Sequence, residues 1–225
     1  MFITYAANTK SFFMTVALCA SLLAGCADKR PVAYQGLDST SQLTPNSQDK
    51  TGHIPFSYSA LDLDWSQYHG VILDPIVIYA GGDQQFGKLT PADKQTLADY
   101  MQTQFAHTLS TKYALTSAPG PDILRMHATL TGADRTTPVL GTVQQIMPVG
   151  AIIRVIKSAN DKQSKSLGSV TYAIEIYDSR SNRLLRALVT KQYPAAENIR
   201  AGFGALKAAE LGIDNGAKGL LAELQ

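Results

Sequence analysis

The sequence predicts an α+β domain over residues 61–225, with a mostly antiparallel or mixed sheet of about four to five strands and two main helices. Three segments alternate apolar and polar residues, which is typical of strands with one buried face. Two other segments repeat apolar residues at helical spacing. Because each strand offers a single apolar face, both helices are expected to pack on the same side of the sheet.

The first predicted strand region is Tyr68–Tyr79, where β-branched residues form a nearly continuous run. Val71-Ile72-Leu73 and Ile76-Val77-Ile78 suit a strand that is covered on both faces. Pro75 lies between these two triplets and cannot donate to a ladder hydrogen bond. The strand is therefore expected to be interrupted or bulged at Pro75.

A helix is predicted from Pro91 onward. Thr90 can cap its first turn, Pro91 has the backbone angle of the first helical position, and Asp93 interacts favourably with the positive end of the helix dipole. One apolar stripe follows at helical spacing and consists of Leu97, Tyr100, Met101, Phe105 and Leu109. Such a stripe indicates a helix face packed in the core.

Three further strands are predicted at Leu124–Thr131, Val170–Tyr177 and Leu184–Tyr193, and a polar turn at residues 178–182 joins the last two as a hairpin. The predicted buried faces carry Leu124, Met126, Ala128 and Leu130, then Val170, Tyr172, Ile174 and Ile176, then Leu185, Ala187 and Val189.

A second helical region is predicted over residues 199–225. Its glycines favour a break at Gly212, with Asp214 capping a new helix.

The amino terminus predicts a cleaved signal peptide over residues 1–25. Met1–Ser11 carries one cation and no acid, and Phe12–Leu23 is an apolar run of about twelve residues, whereas a membrane-spanning helix needs about 20. Leu23-Ala24-Gly25-Cys26 resembles the lipobox of bacterial lipoproteins. The alternative, a buried helix that ends at a cysteine by chance, requires charge, length and small residues to coincide.

The lipobox resemblance implies that Cys26 becomes the first mature residue and is acylated, which would anchor the protein in a membrane. In enterobacterial lipoproteins an Asp after the acylated Cys favours the inner membrane. This chain has Ala27 there, so the outer membrane is expected, with the domain on its periplasmic face. Residues 26–60 are rich in Pro, Gly and Ser, show no apolar period, and are predicted to form a flexible lipidated tether.

The sequence lacks recognisable catalytic and metal-binding motifs, including G-x-S-x-G, a Walker A loop and H-E-x-x-H. Its four histidines, at positions 53, 69, 107 and 127, are far apart and have no acids at useful spacing. His127 shares a strand face with Arg125 and two threonines, so its side chain is expected to face solvent. The net charge of +2 without a basic block excludes an obvious nucleic-acid surface. No catalytic residue, metal or cofactor is predicted.

One apolar stretch between Gly141 and Lys157 fits the predicted sheet poorly because Pro148 and Gly150 interrupt it. It is either a core segment or an exposed surface that meets a partner or the bilayer. The residues predicted to bind a partner under the second interpretation are Ile146, Met147, Val149, Ile152, Ile153 and Ile156.

From Tyr68 onward the order of these signals resembles a family of bacterial outer-membrane lipoproteins, the domain of unknown function numbered three thousand three hundred and thirteen. The matching stretches are Val71 to Pro75, Phe86 to Pro91, Ala118 to Pro121 with Leu124-Arg125, and Gly168 to Asp178. The resemblance covers most of the mature chain and implies a small periplasmic α+β lipoprotein without an established activity. The Gly-rich carboxy-terminal segment departs from the family's usual pattern.

The sequence therefore favours a lipid-anchored, periplasm-facing envelope lipoprotein that is not an enzyme and that binds an envelope protein or glycan as an accessory or scaffold. The alternative is an envelope hydrolase or a small-ligand-binding lipoprotein whose site is assembled from distant residues. A flat apolar patch at residues 143–156 would favour the first function, and a cleft lined by acids or histidine would favour the second. Oligomeric state and the identity of the partner are left open.

Overall fold

The computed structural model describes residues 30–135, 168–194 and 204–224, which form one mixed sheet and two α-helices. The strands are β1 (Thr44–Pro45), β2 (Phe56–Ser59), β3 (Gly70–Leu73), β4 (Val77–Ile78), β5 (Ala114–Leu115), β6 (Ile123–Ala133), β7 (Val170–Asp178) and β8 (Leu184–Gln192). The helices are α1 (Pro91–Leu109) and α2 (Lys207–Glu223), and Trp65–Gln67 forms a 3₁₀ turn. Cys26, the predicted signal peptide and the predicted partner-binding stretch 141–157 lie outside the described residues.

The strand order is β1-β2-β8-β7-β6-β3-β5, with β4 also paired to β6. β6, β7 and β8 form an antiparallel meander, and β3, β4 and β5 add parallel pairs. The α+β prediction is confirmed, with eight strands in the described residues instead of four to five. The expected interruption at Pro75 is also confirmed, since pairing with β6 stops at Leu73 and resumes at Val77.

Both helices pack on one face of the sheet, as predicted, and share one hydrophobic core with it. α1 starts with a complete capping box, because the Asp93 N–H donates to Thr90 Oγ1 and the Thr90 N–H donates to an Asp93 carboxylate oxygen. The main core side chains are Leu97, Met101 and Phe105 of α1, Met126 and Leu130 of β6, Tyr172 and Ile174 of β7, and Ile213 and Leu220 of α2. Within the described part of the chain, neither helix is long and apolar enough to cross a membrane.

The helix α2 runs without interruption from Lys207 to Glu223, so the predicted break at Gly212 is wrong. Gly212 and Gly216 instead let the helix approach the sheet closely. A Cβ atom at Gly212 would lie 2.8 Å from Val170 Cγ1 and 3.1 Å from the Gln192 carbonyl oxygen. The packing of the helix on β7 and β8 therefore compensates for the low helix propensity of these glycines.

Residues 31–59 belong to the fold: residues 31–43 pack on the sheet face opposite the helices, and β1 and β2 extend the sheet next to β8. Pro31 belongs to the same compact unit as the sheet. The predicted flexible tether over residues 26–60 is corrected for this part of the chain. Its buried side chains form a second hydrophobic cluster with four residues of the sheet and its loops, and the members are Tyr34, Leu37, Leu43, Tyr79, Ala173, Ala187 and Val189. The segment lacks a sequence period because it consists of turns and the short strands β1 and β2.

The strand β8 is apolar on both faces, which corrects its predicted buried face. Ala187 and Val189 contact the second cluster, whereas Leu185 and Leu188 belong to the core on the helix side. An irregularity in the β7–β8 pairing between Ile176 and Tyr177 shifts the alternation along β8. A single apolar face could not be identified from alternation because both faces are covered.

We expect Gly216→Ala to lower the free energy of unfolding by about 1–3 kcal/mol, because overpacking a buried contact costs about this much. The new Cβ would lie 1.6 Å from Tyr172 Oη, and Tyr172 is fully buried. Chemical denaturation of the purified protein measures the change. Gly219→Ala is the matched control in the same helix, since nothing lies within 4 Å of its Cβ position, and it should stabilise the protein by about 0.5–1 kcal/mol. Equal effects of the two substitutions would contradict this packing.

Candidate functional site

A cleft of about 470 Å³ opens on the sheet face opposite the helices, which residues 31–43 partly cover. It lies between the start of that covering segment, the chain that follows β3, and the central strands β6 and β7. Its lining residues are Gly36, Leu37, Asp38, Asp74, Pro75, Val77, His127, Ala128, Thr129 and Glu175. Four ionisable side chains thus converge in one concave site, which is the usual setting of a ligand site.

Sheet pairing brings the polar residues of this cleft together. His127 of β6 lies directly opposite Glu175 of β7 in the antiparallel ladder. Asp74 follows β3, which runs parallel to β6, and the Asp74 N–H donates to the Met126 carbonyl oxygen. Since side chains that are neighbours across strands share a face, Asp74 and Glu175 lie on either side of His127.

Asp74 connects two basic side chains of β6. Arg125 binds it bidentately, with Nε 2.7 Å from Oδ2 and Nη2 3.0 Å from Oδ1. His127 Nε2 lies 2.7 Å from the same Oδ2 atom. The hydrogen bonds to Asp74 also raise the pKa of Arg125 above its usual value. These contacts fix the orientation of the His127 ring.

Glu175 is only 4% exposed although its side chain is ionisable, and its neighbours on β7 are mostly apolar. The Ser39 N–H donates to its Oε1 atom at 2.6 Å, which links the covering segment to the sheet. The pKa of Tyr177 is raised, first by burial and then by the negative charges of Glu175 and Asp38. Two carboxylates therefore lie close together at this end of the cleft.

Within the described residues, Asp38, His127 and Glu175 form a group of three potential metal ligands. One oxygen of each carboxylate and one nitrogen of the imidazole all lie within 4.8 Å of one another. Asp38 is exposed, His127 is 35% exposed and Glu175 is buried, so the group spans the distance from solvent to the sheet. Such a set could hold a metal ion, or the imidazole could exchange protons with a bound molecule.

The sequence analysis did not find this site. His127 lies on the sheet face away from the helix-side core, as expected, but its side chain is only 35% exposed because its ring contacts Asp74 and lies 5.1 Å from the Tyr177 ring. The four cleft residues come from separate parts of the chain, and only the fold brings them together. Glu175 gave no signal in the sequence, because it lies on the face of β7 that the alternation predicts to be polar. The lipidation site Cys26 and the predicted partner-binding residues lie outside the described residues.

The fold and the cleft define a small α+β domain with an ionisable site on one sheet face. The chain belongs to the family described as protein of unknown function (DUF3313), whose family model matches residues 33–220. This match confirms the family resemblance that the sequence analysis inferred from the order of motifs. None of the curated proteins matches the chain.

Several solved structures are similar to this chain at low sequence identity. The PelC dodecamer from Paraburkholderia phytofirmans is 9% identical with a TM-score of 0.37, and the match covers 75% of this chain and 94% of that one. The hypothetical protein CT253 from Chlamydia trachomatis is 12% identical with a TM-score of 0.37, covering 70% of this chain and 95% of that one. A DUF4136 family protein from Bacteroides thetaiotaomicron is 10% identical with a TM-score of 0.34, covering 75% and 94%.

We expect Glu175→Ala to lower the free energy of unfolding by about 1–3 kcal/mol, because the buried N–H of Ser39 loses its acceptor. Glu175→Gln is the matched control, since its amide oxygen can accept the same hydrogen bond, and it should cost clearly less. Denaturant titration of both variants gives the comparison. If alanine and glutamine have the same effect, the Ser39 contact does not stabilise the fold.

Proposed function

We propose that this protein is a lipid-anchored, periplasm-facing lipoprotein of the cell envelope that binds an envelope partner as an accessory or scaffold and is not an enzyme. The carrying observation is Leu23-Ala24-Gly25-Cys26 after an apolar run of signal-peptide length. In this proposal Cys26 is the acylated first residue of the mature protein. Two acyl chains already give a stable anchor.

The position of the folded unit supports a short tether. Only the four residues 27–30 separate Cys26 from Pro31, where the compact unit begins. The five Cα–Cα steps from Cys26 to Pro31 span at most about 18 Å even when fully extended. In this proposal the domain is therefore held close to the membrane, and Ala27 after the acylated cysteine favours the outer membrane over the inner one.

The proposed partner is an envelope protein or glycan. The apolar residues between positions 146 and 156 support this part of the proposal through their composition alone. A domain held within a short distance of the membrane would meet a limited set of partners, which suits an accessory role.

A second candidate function is small-ligand binding in the cleft, with hydrolysis of an envelope substrate as its catalytic variant. The cleft of Asp38, Asp74, His127 and Glu175 favours it, because acids and a histidine from distant residues share one concave site. The two functions are compatible, since a lipid-anchored accessory protein can also carry a ligand.

We expect Cys26→Ser to abolish lipid labelling and release the protein from the membrane fraction, because the thiol that receives the lipid is gone. Cells that express either form are labelled with a palmitate analogue and then fractionated. Cys19→Ser is the matched control, since that cysteine lies within the predicted signal peptide, and it should label like the wild type. Equal labelling of the Cys26→Ser variant would overturn the proposed anchor.

A further inference from the structure

We propose that Asp38, His127 and Glu175 bind a divalent first-row transition-metal ion, with Zn²⁺ as the ion to test. This inference rests on the second candidate function, ligand binding in the cleft, and is independent of the lipid anchor. It assigns a ligand class to a group of residues that the sequence motifs did not reveal.

The donor set matches the preferences of such an ion. Zinc binds imidazole nitrogen at about 2.0–2.1 Å and carboxylate oxygen at about 2.0–2.2 Å, so two ligands of a tetrahedral ion lie about 3.4 Å apart. The three donor atoms here lie within 4.8 Å of one another, so a bound ion requires closure by at most about 1.4 Å. Asp38 is exposed on a turn, whereas His127 and Glu175 are on strands. A rotation of the Asp38 side chain would therefore provide most of this closure.

The surroundings of His127 suit a metal ligand. Metal-bound histidines usually donate their second ring N–H to a carboxylate, which fixes the ring. Asp74 occupies this position, 2.7 Å from Nε2. Arg125 already compensates the Asp74 charge bidentately, and Nδ1 is the His127 atom proposed to bind the ion.

The carboxylates of Glu175 and Asp38 would also be stabilised by a bound cation. Asp38 and Glu175 place two carboxylates close together, and within the described residues Glu175 accepts a hydrogen bond from the uncharged Ser39 N–H. Ser39 is 1% exposed, and its Oγ has no hydrogen-bond partner in the part of the chain that the structure describes. Two like charges next to a buried strand are costly unless a cation compensates them.

A metal held by these three residues would keep an open position. Structural zinc sites usually have four protein ligands, whereas sites with three leave room for water or a ligand oxygen. The open side would face the cleft of about 470 Å³, which is wide enough for a small molecule. The inferred ligand is thus a metal ion that can in turn bind an oxygen-bearing group.

The test is zinc binding to the full-length protein, purified in detergent and stripped with a chelator. Equilibrium dialysis with metal analysis should show one Zn²⁺ per chain. His127→Gln should weaken binding at least about thirtyfold, and Asp38→Asn about tenfold, because ligands and their close supports contribute at this scale. Glutamine at position 127 can still donate to Asp74, so the local structure is preserved. His69→Gln is the matched control, since His69 also lies within 4 Å of an aspartate, Asp122, and is exposed.

The inference is overturned if wild type and His127→Gln bind zinc equally, or if His69→Gln loses as much affinity as His127→Gln. Asp38→Asn keeps the test valid if His127→Gln fails to fold, because Asp38 is exposed and its loss should not unfold the domain. The proposed function is judged by a separate readout, the crosslinking of cleft variants to envelope components. If zinc does not bind but Asp38→Asn changes these crosslinks, the metal site is wrong and ligand binding in the cleft stands.

Discussion

The packing of residues 31–59 against the sheet is the constraint on which the rest of the structure depends. The second face of β7 and β8 also carries apolar side chains, so the helices alone would leave Ala173, Ala187 and Val189 in water. Tyr34 and its neighbours in the covering segment bury these residues in a second cluster. The hydrophobic contribution of both faces therefore requires the chain directly after the predicted lipid anchor to be part of the fold.

The cleft exists because this cover is incomplete. Turns around Asp38 end above β6 and β7, and there the exposed face changes from apolar to ionisable. Burying Glu175 in this position costs free energy, which the Ser39 N–H offsets only in part. A protein that needed only stability would be expected to place an apolar residue there. The proposed binding role of the cleft therefore rests on this buried charge next to His127.

The sequence predicted the elements whose signals are local. The capping box at Thr90 and the apolar stripe of α1 follow from helix chemistry, and β6 and β7 alternate because one face of each meets the helices. The strands β1, β4 and β5 are only two residues long, so their sequences show no periodic pattern. The glycines of α2 allow close contact with β7 and β8, which the sequence of the helix alone does not indicate. The cleft could not be predicted because Asp74, His127 and Glu175 become neighbours only through parallel and antiparallel pairing.

Hydrogen exchange of backbone amides tests the central claim most directly, because it reports whether residues 31–59 are folded onto the sheet. The Gly36 N–H donates to Tyr79 Oη and the Ser39 N–H donates to Glu175. Both amides should exchange at least about a hundredfold more slowly than in an unstructured chain, as expected for hydrogen-bonded amides in a stable region. If both amides exchange at the rate of an unstructured chain while the β7 amides stay protected, residues 31–59 are not folded onto the sheet. That result would contradict the account and favour the flexible tether predicted from the sequence.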